Sequence, residues 1–172
     1  MDADDPSERY SEDRRLVEGL LGRTPSGAFE VAVRAPTGMP VVIRNFPLLE
    51  DGTPMPTRYW LVDRRLTGAV SRLESSGAVR LAEQQIDPED VARAHARYAE
   101  ERDSALAPGH EGPRPSGGVG GTRKGVKCLH AHLAWYLAGG DDPVGRWTAR
   151  QLGVELETAK SETGRAEIGR DD

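Results

Sequence analysis

AFEVAVRAPTGMPVVIRN, residues 28–45, decides the fold class. Phe29, Val31 and Val33 alternate with Glu30, Ala32 and Arg34, the two-residue period of a strand with one covered face. Pro36 to Met39 supply a turn and VVIRN, 41–45, returns as a second strand, so the segment reads as a hairpin. Beyond the proline-rich bend PLLEDGTPMP, 47–56, the aromatic and β-branched run RYWLV, 58–62, reads as a third strand. A three-stranded antiparallel meander is the simplest arrangement. Upstream the period is helical. Leu16, Val17, Leu20 and Leu21 share one side of a helix over 11–21, with Ser11 placed to cap it, Glu12 and Asp13 in its first turn and Gly22 to close it.

From Leu66 onward the chain turns helical. Leu66, Val70 and Leu73 fall on one helix face that ends at Ser75-Ser76-Gly77, and a short helix follows over 79–85. Asp87-Pro88-Glu89-Asp90 combines a cap, a first-turn proline and acids, and opens a helix to about Leu106. Residues 107–121, APGHEGPRPSGGVGG, are too rich in Gly and Pro for regular structure. A helix over 126–138 comes next and is apolar nearly all round, which makes it a central one. Asp142 and Pro143 then open another helix. The expected fold is α+β: a small meander packed against several helices, the central one near 125–138. The expected organisation is a flexible acidic N-terminus (1–10), one globular domain (11–152) and a disordered tail (153–172).

Composition narrows the function classes. The 172 residues are 37% hydrophobic and 30% charged, with a net charge of −5, which argues against a nucleic-acid coat. No run approaches the roughly 18 apolar residues of a membrane span. An acidic N-terminus in place of a secretory signal, and a single cysteine, point to the cytoplasm. Charge distribution says more than its sum. Between Gly112 and Gly140 there is no acidic residue, whereas Arg114, Arg123, Lys124 and Lys127 are basic.

That basic stretch carries the candidate sites. Glycines let backbone N–H groups approach a ligand, a following helix start favours negative charge, and arginine grips an oxyanion with two bonds. Gly120, Gly121, Thr122, Arg123, Lys124 and Lys127 are therefore candidates for holding a small anion or phosphorylated ligand. GGVGGTRKG, 117–125, lacks the G-K-[ST] ending of a nucleoside-triphosphate loop and does not follow a strand, so it fits neither that loop nor the dinucleotide fingerprint. At about 100° per residue, Cys128 and His132 share a flank of the expected helix while His130 points elsewhere. Cys128 with His132 is the candidate metal pair, which needs further ligands from elsewhere. The alternative is a buried thiol and a hydrogen-bonded core histidine. His130 and His132 are the candidates for acid or base work, although neither an enzymatic reaction nor a cofactor is implied. A protein partner for the basic loop is the third reading.

Three blocks carry a family resemblance: RAPTGMPVVIRNFPLLEDGTPMPTRYWLV (34–62), AVSRLESSGAVR (69–80) and GVKCLHAHLAWYLAGGDDPVGRW (125–147). They resemble "domain of unknown function 501", a family common in actinobacteria that brings no established activity. Its gene context, beside enolase, a septum-formation initiator and an exopolyphosphatase, implies a link to cell division or phosphate metabolism. Many relatives carry Cys-Pro-Cys-Gly where this chain has Ala35-Pro36-Thr37-Gly38, and a further cysteine near the position of Asp63. Together with the cysteine of the Lys127-Cys128-Leu129-His130 motif, those would make a soft-metal site in such relatives. Here Cys128 is the sole cysteine, and a thiolate cluster within one chain is impossible.

Overall fold

A computed structural model describes residues 6–154. Three strands, β1 (Phe29–Arg34), β2 (Pro40–Asn45) and β3 (Tyr59–Leu61), form one antiparallel sheet in the order β1-β2-β3. The hairpin register pairs Phe29 with Asn45 and Val31 with Ile43, then slips between Val31 and Arg34. Six helices accompany it: α1 (Pro6–Leu21), α2 (Arg64–Ser75), α3 (Ala78–Gln85), α4 (Pro88–Ser104), α5 (Leu129–Leu137) and α6 (Pro143–Leu152). The architecture is α+β, as the alternating periods imply.

The sheet is covered on both sides, which explains why β2 is buried almost throughout. On one side Val17 of α1 packs with Phe29, Ile43 and Val62. On the other, Val42, Tyr59 and Leu61 meet the larger core built around Leu129, Leu133, Ala134 and Trp135 of α5. Leu129 and Leu133 are fully buried, each stabilising the fold by about 1.5–3 kcal/mol. α5 is thus the central helix.

Cap chemistry sets most helix ends. The Asp63, Asp87 and Asp142 side chains accept the N–H groups of Leu66, Glu89 and Val144 at 2.8, 2.8 and 2.9 Å, each satisfying an orphan donor of a first turn. Gly22, at φ 70°, closes α1. Two expectations fail. Ser11 does not cap α1: its hydroxyl donates to the Ser7 carbonyl at 2.9 Å within a helix that already begins at Pro6. Residues 6–10, expected as flexible terminus, are therefore helical, with Glu8 in the first turn. The tail expected from 153 lies outside the described residues from 155 onward. Gly153, at φ 63°, ends α6, and Val154 packs against the core. Among the described residues no helix is long and apolar enough to cross a membrane.

Candidate functional site

Residues 105–128 contain no long helix or strand, only a 3-10 turn at Val119–Gly121. Yet the glycine half of this segment is tightly held. Arg102 of α4, 1% exposed, donates to the carbonyls of Gly117 and Pro115 at 2.7 and 3.2 Å, and to Asp103 at 2.8 Å. His95, one turn pair earlier on α4, accepts the Val119 N–H at Nδ1 (3.0 Å) and faces the Gly125 carbonyl through Nε2 (2.9 Å). A carbonyl can only accept, so Nε2 carries the proton and the ring is neutral. Burial pushes its pKa below the usual histidine value, against the opposing pull of the Gly125 carbonyl. Close approach, not ligand binding, explains two of the glycines: a Cβ on Gly118 would lie 2.5 Å from His95 Nδ1, and one on Gly125 2.5 Å from Glu83 Oε1.

The backbone N–H groups reserved for an anion by the sequence pattern are largely spent inside the protein. Gly121 donates to Gly118 and Gly118 to Thr122. The Thr122 hydroxyl donates to the Lys124 carbonyl at 2.9 Å. Val126 N–H goes to Glu83 Oε1 at 2.9 Å and Leu129 N–H to Glu74 Oε1 at 2.7 Å. The two carboxylates come from α3 and α2. The central helix starts at Leu129 and not Val126, because Gly125 takes φ 63° and Cys128 is extended, so the backbone before Leu129 is not helical.

That delay corrects the expected Cys128–His132 pair. Cys128 is the extended N-cap of α5 (φ −153°, ψ 117°), so the four-residue helical spacing between the two does not exist. Cys128 instead lies beside His130, Sγ to Nδ1 3.7 Å, with Glu74 Oε1 3.3 Å from the same nitrogen. The other ring nitrogen faces the Thr67 carbonyl at 3.1 Å and Ser71 Oγ at 3.2 Å. The hydrogen bond with the Cys128 thiol, helped by Glu74 and opposed by burial, pushes the His130 pKa up to about 9. His132 turns the other way, as its angular separation from His130 requires. Its Nδ1 is 2.7 Å from Asp142 Oδ2, and both side chains are buried. Asp142 Oδ1 also caps α6 through Val144 and Gly145. The His132 ring stands 5.7 Å from that of His95, and its Nε2 has no partner. Such a closed environment gives His132 a role in joining α5 to α6.

Of the six anion candidates, Arg123, Lys124 and Lys127 are exposed and have no ion-pair partner among the described residues. Arg123 lines an open cleft of about 450 Å³ between α4 and the glycine segment, together with His95, Arg102, Ser116, Gly117 and Gly118. The charges of Arg102 and Asp103 are paired there, leaving Arg123 as the unbalanced one. Residues missed by sequence reasoning are Glu74, Glu83 and Arg102. The signal that could have found the carboxylates was the acid-free run 112–140, whose unpaired donors require acids from elsewhere.

Comparison with curated proteins and with solved structures returns no match. A family model described as "Protein of unknown function (DUF501)" matches residues 31–150, the span containing nearly all of the sheet, Glu74, the glycine segment, α5 and nearly all of α6. The chain belongs to that family.

Proposed function

We propose that the protein is a cytoplasmic binding protein for a small anion, a phosphate or carboxylate group carried on a small molecule, in the cleft between α4 and residues 115–123. The observation that carries this reading is Arg123: an exposed guanidinium with no partner among the described residues, at the edge of a cleft whose other charges cancel. Because the N–H groups of the glycine segment are largely occupied, the ligand is held mainly by side chains, with Arg123 as a two-bonded clamp and the Ser116 hydroxyl as a second donor. Arg102 keeps the cleft floor in place by holding the 115–117 carbonyls.

A melting screen against inorganic phosphate, pyrophosphate, nucleotides, sugar phosphates and dicarboxylates tests it. A ligand at a hundred times its Kd stabilises the folded chain by about 2.7 kcal/mol, a rise of about 5–10 °C for a chain of this size. Arg123→Ala should abolish the rise. If no anion raises the melting point, or if Arg123→Ala leaves the rise intact, the reading is wrong. Lys124 and Lys127 lie outside the cleft lining and favour a second reading, an acidic protein partner in cell division or phosphate metabolism. Loss of a captured partner on replacing both lysines by alanine, with the small-anion response retained, would select it.

A further inference from the structure

Outside the cleft, one cluster joins three chemically different ligand types from parts of the sequence more than fifty residues apart. Glu74 comes from the last turn of α2, Cys128 from the N-cap of α5 and His130 from its first turn. Their ligand atoms all lie within 4.8 Å of one another. We propose that Glu74, Cys128 and His130 form a site for a borderline-soft divalent cation of the zinc class, bound through a carboxylate oxygen, Sγ and Nδ1, with the fourth position left to an exchangeable ligand. The proposal is independent of the anion cleft.

The distances carry it. Tetrahedral zinc with bonds of about 2.3 Å to sulfur and about 2.0–2.1 Å to nitrogen and oxygen sets its ligand atoms about 3.5 Å (S to N) and about 3.3 Å (N to O) apart. Nδ1 of His130 is 3.7 Å from Cys128 Sγ and 3.3 Å from Glu74 Oε1. Two edges of the coordination triangle thus fit to within a few tenths of an ångström, and the third, Sγ to the carboxylate oxygen, lies within 4.8 Å and closes toward about 3.5 Å on binding. The surroundings orient the ligands in the required sense. The Thr67 carbonyl accepts only a proton, so it fixes the hydrogen on Nε2 and turns Nδ1 toward the cluster. This is the outer hydrogen bond that metal-bound histidines generally make. Leu129 N–H donates to Glu74 Oε1 at 2.7 Å and so fixes that carboxylate oxygen beside His130. Binding displaces the Cys128 thiol proton to solvent, with a second proton from His130 when its imidazole is charged, and changes no oxidation state. Access is present, since the Glu74 and His130 side chains are 26% and 23% exposed. A single thiolate with one imidazole and one carboxylate suits zinc or cobalt(II) better than calcium or magnesium, which take oxygen shells.

Cobalt(II) added to the full chain after chelator treatment is the probe. One equivalent should bind, giving visible bands of four-coordinate cobalt and a near-ultraviolet thiolate-to-metal band. Cys128→Ser should lose the near-ultraviolet band. His130→Ala and Glu74→Gln should each weaken binding at least 100-fold, and excess zinc should bleach the spectrum. Lys127→Ala, adjacent but outside the cluster, should bind as the parent does. Circular dichroism of each metal-free variant separates lost binding from lost folding. For any variant that unfolds, the conservative Glu74→Asp and His130→Gln give a second measurement: each should bind cobalt more weakly than the parent, and parent-like binding by a folded one of them overturns the site. The proposal is overturned if cobalt binds at less than one equivalent, if its spectrum lacks the thiolate band, or if Glu74→Gln binds as tightly as the parent. That last outcome would mean that the local Cys-Leu-His peptide captures metal without the fold. Phosphate-induced melting shifts serve as an independent control on the anion cleft.

Discussion

Replacing Arg102 by methionine would keep most of the buried stem and remove the guanidinium. Two carbonyls, Pro115 and Gly117, then lose donors at 3.2 and 2.7 Å, and Asp103 loses its ion-pair partner at 2.8 Å. Hydrogen bonds to a charged group contribute about 1.5–3 kcal/mol each, and breaking a buried charged network costs about 3–5 kcal/mol. The lower end applies if water reaches the freed carbonyls. With about 2–4 °C of melting temperature per kcal/mol for a chain of this size, Arg102→Met should melt about 10 °C lower. Arg102→Lys, which keeps the charge and loses the fork, should fall between the two. Hydrogen exchange adds the local readout: amides of 117–122 should lose protection before those of α5. If Arg102→Met melts within 2 °C of the parent and the 117–122 amides exchange at the parent rate, then Arg102 does not hold the segment, and the floor of the proposed anion cleft has lost its support.

Two further outcomes follow from the same packing. Gly118→Ala places a methyl group 2.5 Å from His95 Nδ1 and should cost about 1–3 kcal/mol, whereas Gly19→Ala in the open interior of α1 should stabilise by up to about 1 kcal/mol; calorimetry on the pair reads both signs, and equal effects would contradict the geometry. His95 is held below its ordinary pKa by burial, so the unfolded chain takes up its proton first on acidification. Its contribution to stability is complete above about pH 6.5 and declines as pH falls through the lower folded value. Because the raised His130 value acts in the opposite sense over this range, the drop is read in His130→Ala, whose melting temperature should fall from pH 7.5 to 5.5; a histidine NMR titration placing His95 at or above 6.5 would refute the assignment.

The fold was legible where local chemistry decides it. Alternation in 28–45 gives the hairpin, and Asp87-Pro88 and Asp142-Pro143 give helix starts because cap and proline act within one turn. Ser11 shows the limit of the same rule, since Pro6 offers an earlier start and the serine falls inside the helix. The site was legible as an address only. Cations and glycines cluster in 112–140, but Glu74 and Glu83, which accept the N–H groups leading into α5, belong to helices 55 and 43 residues upstream of those groups. No periodicity reports that pairing. A helical wheel assumes the helix exists at Cys128, and the wrong start moved the thiol from His130 to His132.

The two glutamates have a further consequence. The positive end of α5 comes with resident counter-ions, so the chain already plugs its own best phosphate cradle. Exchanging Glu74 and Glu83 for glutamine would remove that negative charge while leaving amide oxygens to accept the same N–H groups.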